Sequence, residues 1–194
     1  MKCLVKLKTA VFSMVAGFVF SIGDMAHIHS GMARYPNWQG PFFFNIPWWI
    51  PLEFACAAFL LIQVHPIQEK IFRLTPPRNT GSAALVASLF WTLAIYLGTS
   101  FLPESHPILK NASLLLALAA QIAYFGMSHP GSLLEILSVA ICGCGFEFLL
   151  GQMNFFTYLP SPSLVATIPV WLWCVYGSVA ITARVYSAGG SGLQ

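Results

Sequence analysis

Three features of the sequence predict an all-α, polytopic membrane protein built as a six-transmembrane-helix bundle. Of its 194 residues, 57% are hydrophobic and only 8% are charged, whereas about a quarter of the residues in soluble domains are charged. Apolar runs of nearly bilayer length recur along the whole chain. Strands of a membrane barrel alternate apolar and polar residues, and these runs do not, so helices are expected.

The apolar runs number six. They are residues 9–23, 47–64, 82–102, 108–127, 132–150 and 164–183. A hydrocarbon core of about 30 Å takes about 20 helical residues, so the first run needs flanking residues to cross. The longest connectors are 24–46 and 65–81, too short for a soluble domain. We expect residues 1–186 to form a single six-span membrane domain, with the tail SAGGSGLQ, 187–194, as a linker or tag remnant.

The basic residues predict the orientation. Seven of nine lie on one side of the expected spans, namely Lys2, Lys6, Lys8, Lys70, Arg73, Arg78 and Arg184, and Arg34 and Lys110 lie on the other. By the positive-inside rule both termini are then cytosolic. The membrane is the plasma membrane in a microbe or the endoplasmic reticulum in a eukaryote. The lysine-rich start also resembles a secretory signal, but no small-x-small cleavage site follows it.

The second span opens with an unusual stretch, NIPWWIPLEF, residues 45–54. Trp48 and Trp49 are predicted to lie at the outer membrane interface, where amphipathic rings collect. Pro51, one turn after Pro47, has no N–H to donate to the Pro47 carbonyl. That free carbonyl predicts either a kink packed against neighbouring helices or a gap between helices.

The dipeptide His-Pro recurs at three expected span boundaries, at residues 65–66, 106–107 and 129–130. Proline suits the first turn of a helix and ends a preceding one, so these prolines need no functional explanation. Zinc or iron ligands are conceivable on the outer side, from Asp24, His27, His29, Glu104 and His106. Their spacing matches no established metal motif, so we interpret them as polar residues of an interfacial loop and expect neither metal nor cofactor.

Three glutamates lie within the expected spans, where ionisable groups are costly and suggest function. Glu135 lies near the cytosolic surface by residue count, where water can solvate it. Glu53 and Glu147 lie deeper, in the outer half of the bilayer, without a lysine or arginine nearby. We expect both to be neutral hydrogen-bond donors. Other polar residues fall at a similar depth or near the middle: Tyr96, Ser113, Gln121 and Gln152. These groups either bind a ligand or bond helices together.

The residues at this point resemble a known family, the insulin-induced gene (Insig) proteins. The segment WWIPLEFACAAFLLIQVHP, 48–66, is similar to a family segment that begins WWVPP and ends YP before an acidic and a basic residue, here Glu69 and Lys70. A second block, IYLGTSFLPESHPILKNASL, keeps Gly98 and Asn111 in register, and a third is LLGQMNFFTYLPSP. The resemblance covers residues 9–186, with a looser match in the last helix.

The resemblance implies a non-enzymatic lipid sensor. Animal Insig proteins bind oxysterols, retain the sterol-sensing escort protein Scap in the endoplasmic reticulum, and promote degradation of HMG-CoA reductase. The positions similar to the family's sterol site hold Tyr96 for Phe, Ser113 for Gln and Tyr124 for Trp. In the loop that binds Scap, the family's Phe-Asp-Arg aspartate is replaced by Ser128. The chain therefore resembles a minimal homologue of microbial type. A membrane protein with a sterol-sensing domain is an expected partner, but animal Scap is not.

The sequence thus predicts a protein without catalytic residues that holds a neutral lipid between its helices, such as an oxysterol or diacylglycerol. The candidate ligand-binding residues are Trp48, Trp49, Pro51, Glu53, Tyr96, Ser113, Gln121, Tyr124, Glu147 and Gln152, with Ser128 as the candidate partner contact. An integral-membrane lipid-modifying enzyme and a small transporter are the alternatives, and self-association of the chain is a further expectation. We expect no nucleic-acid partner.

Overall fold

The structure is a computed structural model and describes residues 2–40, 42–103, 105–159, 164–165 and 168–191. Its helices are α1 (Lys2–His29), α2 (Ile50–Phe72), α3 (Ser82–Phe101), α4 (Pro107–Phe125), α5 (Pro130–Gln152) and α6 (Leu172–Ser191). Within the described residues these six helices account for nearly all regular structure. The predicted all-α bundle of six helices is confirmed.

Five of the helices are long and apolar enough to cross a membrane, judged over the described residues: Lys6–His29, Ile50–Phe72, Ser82–Phe101, Pro107–Phe125 and Pro130–Gln152. Helix α6 is less apolar because it lies in the middle of the bundle, where it packs against α2, α3, α4 and α5. Residues such as Ser178, Thr182 and Arg184 are buried on it. A central helix meets protein rather than lipid, so it can carry polar groups that neighbouring helices satisfy.

Two predicted boundaries of α2 are wrong. The helix begins at Ile50 rather than 47, with Trp49 as its N-cap, so Pro51 lies in the first turn. A first-turn N–H has no intrahelical acceptor, so Pro51 opens no gap in the helical hydrogen bonds. The helix also continues through Pro66 to Phe72, although this proline was expected to end it. Pro107 and Pro130 do begin their helices, as predicted.

Short strands join the connectors at one end of the bundle. They are β1 (Ala33–Arg34), β2 (Phe42–Phe43), β3 (Ile46–Pro47), β4 (Thr157–Tyr158), β5 (Leu164–Val165) and β6 (Ile168–Pro169). β1 pairs antiparallel with β4, and Leu159 N donates to Met32 O at 3.0 Å. β2 pairs with β3, and β5 with β6. The sixth helix therefore begins at Leu172 rather than 164, since the expected start forms a hairpin. The first and last connectors form one cap over this end.

Helices α1 and α2 pack closely because glycine occupies their contact. A Cβ atom on Gly17 would lie 2.3 Å from the carbonyl oxygen of Pro51 and 2.8 Å from Ala55 N. Real side-chain atoms cannot approach so near, so only glycine lets the two backbones meet here. Small residues play this role commonly in membrane bundles, where close packing drives association.

Glu135 is buried, not solvated at the cytosolic surface as expected. Its carboxylate lies 3.0 Å from Arg184 Nη1 and 3.2 Å from His65 Nδ1. Arg184 also donates to the carbonyl of Thr75, between α2 and α3. Lys110, counted among the basic residues of the outer side, is likewise buried and donates to the carbonyl of Thr99. Both cations are stabilised by acceptors from other parts of the fold.

Candidate functional site

A cleft between the helices is the strongest candidate for a binding site. The walls are mainly apolar and come from α1, α2, α3, α5 and α6. The lining residues are Phe20, Phe54, Ala57, Ala58, Tyr96, Glu147, Leu172, Val175, Tyr176 and Val179. Among them Ala57 is exposed, so the cleft opens beside α2. An apolar cleft with few polar groups is the usual form of a small-molecule site.

Glu147 supplies the acidic group of the cleft. This residue is 8% exposed on α5. Its carboxyl group accepts hydrogen bonds from Tyr176 at 2.8 Å and from Tyr158 at 3.4 Å. Tyr176 is held in place because its ring covers Gly143, one turn before Glu147 on α5. The local sequence thus places a carboxyl group and a phenol side by side.

A second carboxyl group, Asp24, lies behind Tyr96. Tyr96 OH donates to Asp24 Oδ1 at 3.2 Å, and Tyr35 OH donates to Asp24 Oδ2. Gly23 makes room for the Tyr96 ring, since a Cβ there would lie 2.1 Å from Tyr96 Cδ1. Asp24 was expected in an outer connector, but it belongs to α1 and is buried. Its spacing from Gly17, Phe20 and His27 gives one helical face, and this periodicity is the signal by which the sequence could have revealed it.

Two phenols of this cluster lie outside the spanning helices. Burial raises the pKa of Tyr35 well above its ordinary value, and the neighbouring Asp24 raises it further. Burial also raises the pKa of Tyr158, with Glu147 next in effect. Both groups therefore keep their protons and act as hydrogen-bond donors to the acids.

Glu53 is half-buried on α2, beside the cleft, one turn before Ala57. Its side chain has no hydrogen-bond partner among the residues that the structure describes. This position leaves its carboxyl group available to a molecule in the cleft mouth.

The cleft is narrow as it stands. Its empty space, counted with the open mouth, is about 450 Å³, but the facing side chains leave only thin gaps between them. A lipid-sized occupant therefore requires the side chains of the wall to move apart. Phe54 on α2 is placed to move in this way, because it is only half-buried. Its ring contacts that of Tyr96 edge-on, with 6.4 Å between the ring centroids.

The structure brings together only part of the predicted ligand-binding set. Tyr96 and Glu147 line the cleft and Glu53 lies beside it. Pro51 is buried against α1 at Gly17. Trp49 packs in an aromatic cluster with Tyr35, Trp38 and Phe155, while Trp48 is exposed. The remaining positions outside the core are Ser113, Tyr124 and Gln152, none of which lines the cleft, and Ser128 is exposed in the α4–α5 connector.

Gln121 belongs to a separate polar network in the core. Its carbonyl oxygen accepts from Ser178 at 2.6 Å, and its amide lies 3.4 Å from Ser88 Oγ. Thr92 and Thr182 complete the network, 2.9 Å apart through their hydroxyls. These bonds join α3, α4 and α6, so the role of Gln121 here is helix association.

The histidines do not form one group. His27 is buried, whereas His29 and His106 are exposed. Over the described part of the chain, no three His, Cys, Asp or Glu side chains lie close enough to hold a metal ion. Glu104 lies outside the described residues.

Comparison with known proteins agrees with this fold. No family model matches the chain. The chain is 25% identical over 185 residues to an INSIG protein homolog from Mycolicibacterium vanbaalenii, covering 93% of this chain and 85% of the relative.

Solved structures give the same result. The crystal structure of a mycobacterial Insig homolog, MvINS, from Mycobacterium vanbaalenii matches with a TM-score of 0.81 at 18% identity, covering 95% of this chain and 94% of that one. The crystal structure of a cross-linked MvINS trimer, formed by a cysteine variant, matches equally well, with a TM-score of 0.81. The resemblance drawn from the sequence is confirmed in sequence and in fold, and the chain is an Insig-like, multi-pass integral membrane protein.

Proposed function

We propose that this protein is a non-enzymatic regulator that binds a neutral lipid in the cleft between α2, α5 and α6. The observation that carries the proposal is the chemistry of the cleft, whose mainly apolar lining includes Glu147, Tyr176 and Tyr96. Rings or acyl chains fit the apolar wall, and a hydroxyl or carbonyl fits the polar groups. A molecule with a large apolar body and a small polar head satisfies both.

Charge selects the class of lipid. A phospholipid phosphate is best bound by arginine or lysine, which form strong charge-assisted hydrogen bonds. None of the described residues that line the cleft is basic, so a phosphate would find no cationic partner there. A sterol, an oxysterol or a diacylglycerol therefore suits the cleft, and an anionic lipid does not.

Mass spectrometry of the lipids retained after gentle purification tests this proposal. We expect a neutral lipid bound to the wild type and reduced occupancy in Glu147→Gln, Glu53→Gln and Tyr96→Phe. Matched controls are Glu69→Gln, an exposed glutamate on α2, and Tyr124→Phe, an exposed tyrosine on α4. Both controls should retain the lipid at the wild-type level.

Two results would contradict the proposal. One is recovery of phosphatidylglycerol in place of a neutral lipid. The other is unchanged lipid occupancy in all three cleft variants together with lower thermal stability, which would assign the carboxyl groups to helix association alone.

We also propose that the protein works in contact with other membrane proteins. The cross-linked trimer of MvINS supports self-association, which mass photometry of the protein in lipid nanodiscs would detect; a purely monomeric population would oppose it.

Ser128 is exposed and uncharged in the connector that binds Scap in animal Insig proteins. We therefore expect no retention of animal Scap, and co-precipitation at the strength of an animal Insig would contradict this expectation.

The orientation with both termini in the cytosol is part of the proposal. It rests on the basic residues at and beyond the helix ends, Lys70, Arg73 and Arg78 among them. Single cysteines introduced at Arg34 and at Arg73 in a cysteine-free background would report it. Labelling by an impermeant reagent outside intact cells at Arg34 but not at Arg73 is expected, and the opposite pattern would reverse the topology.

A further inference from the structure

The hydroxyl group of Thr99 determines which ring nitrogen of His27 carries a hydrogen. The Thr99 hydroxyl donates its only hydrogen to the carbonyl of Tyr96 at 2.5 Å. It therefore accepts the hydrogen bond that joins it to His27 Nε2 at 2.6 Å. Nε2 must carry a hydrogen, so in the neutral ring Nδ1 is a bare acceptor. This Nδ1 is buried and has no hydrogen-bond partner in the part of the chain that the structure describes.

The ring of Trp171, which adjoins that of His27, carries a hydrogen-bond donor that also lacks a partner within the described residues. Trp171 is 1% exposed, and its Nε1–H also has no partner within the described residues. The ring centroids of His27 and Trp171 are 4.9 Å apart. An unpaired buried donor or acceptor destabilises the folded state, because it has lost its hydrogen bond to water. An unmatched donor and an unmatched acceptor on touching rings call for one molecule that is both acceptor and donor.

The surroundings are polar and adjoin the cleft. Lys110 Nζ lies 5.3 Å from the centre of the Trp171 ring and is bonded to the carbonyl of Thr99. On the other side of His27 lies Tyr96, with 4.9 Å between ring centroids. Tyr96 and Leu172, the residue after Trp171, both line the cleft. The two unpaired atoms thus sit behind the cleft wall, where α1, α3, α4 and α6 meet.

We propose that His27 Nδ1 and Trp171 Nε1 form a binding site for a single hydroxyl group. The hydroxyl oxygen accepts from the Trp171 N–H, and its hydrogen is donated to His27 Nδ1. An anion would face the lone pair of Nδ1, and a cation would face the indole N–H and the Lys110 ammonium, so a neutral hydroxyl suits the site best. The hydroxyl belongs to a buried water or to a lipid in the cleft, and only the second case rests on the proposed function.

NMR of the indole N–H groups tests the site directly. The protein is labelled with ¹⁵N at tryptophan, and the Trp171 signal is assigned by its loss in Trp171→Phe. We expect a hydrogen-bonded, exchange-protected indole proton. A cross-relaxation signal to water that survives delipidation assigns the hydroxyl to water, and this outcome supports the site even if the cleft binds no lipid.

Paired lipids distinguish the second source. A shift of the Trp171 signal with dioleoylglycerol but not trioleoylglycerol, or with cholesterol but not cholesteryl methyl ether, assigns the hydroxyl to a lipid. An indole proton that shows no hydrogen bond in either lipid-free or lipid-loaded protein overturns the proposal.

Thermal stability gives an independent reading. If the Trp171 N–H is bonded, Trp171→Phe leaves the bound hydroxyl without its donor and lowers the melting temperature by several degrees. If the N–H is unpaired, the same change also removes an unsatisfied buried donor, and this gain offsets part of the packing lost with the larger ring. Trp173→Phe is the matched control, since Trp173 lies two residues further on, in α6, and is 41% exposed. A Trp171→Phe protein as stable as this control contradicts the site.

Discussion

Arg184 is a buried cation that joins α6 to α5. It is 2% exposed and donates a hydrogen bond to Glu135 at 3.0 Å. Glu135 lies 49 residues earlier, and no pattern of spacing connects the two. Burial of such a pair depends on which helices are neighbours, and that information is absent from local sequence.

Replacing Arg184 by Met should destabilise the protein by about 3 to 5 kcal/mol, because it leaves a buried carboxylate without its cation. The exposed Lys70→Met removes the same charge from α2 and should change stability by less than about 0.5 kcal/mol. Chemical or thermal unfolding in micelles measures both. The double change Arg184→Met with Glu135→Met should recover much of the loss, and no recovery would show that the carboxylate was not the cause.

The cleft residues show which parts of a site can be read from sequence. Glu147 was identified by depth, because a polar group within a span needs a partner, and Tyr96 by depth and by family position. Asp24 was missed because the first apolar run stops before it, although α1 continues to His29. Tyr124 and Gln152 were included for depth or family position, but depth does not tell which face of the helix a residue occupies.

At the scale of elements, helix existence was predictable and helix ends were not. Each apolar run contains one helix, since bilayer length and composition require it. The ends depend on tertiary contacts: α2 begins after the β2–β3 pair, and Pro66 is accommodated within it. The roles of the glycines were equally unpredictable, because the sequence does not say which glycine faces a neighbouring backbone.

Gly17→Ala should therefore weaken the α1–α2 contact. The added methyl group would overlap the carbonyl of Pro51, and overpacking of this kind costs about 1 to 3 kcal/mol. Gly145→Ala in α5 is the control, because nothing lies within 4 Å of its Cβ position. There the better helix propensity of alanine should leave stability unchanged or raise it by up to about 1 kcal/mol. Equal melting temperatures for the two variants would refute the close contact.

At the scale of the molecule, α6 lies in the middle of the bundle and packs against α2, α3, α4 and α5. Composition predicted the bundle, and the similarity to MvINS, with its TM-score of 0.81, agrees. Composition could not predict which helix is central. Polar residues near the end of the sixth run nevertheless indicate that this helix is central, since Ser178, Thr182 and Arg184 follow one another closely there. These residues would be costly against lipid.

The central place of α6 has a consequence for how the protein is made. Helix α6 leaves the ribosome after the other five. An arginine within a lone helix costs up to about 2.5 to 3.5 kcal/mol to insert, with further cost from the helix's hydroxyl groups. Glu135 on α5 and Ser88 on α3 can offset this only once those helices are present. We therefore expect residues 168–191, fused alone to a reporter with engineered glycosylation sites, to insert poorly, and the same segment after α1–α5 to insert efficiently. Equal insertion in both contexts would show that biogenesis does not depend on the preceding helices.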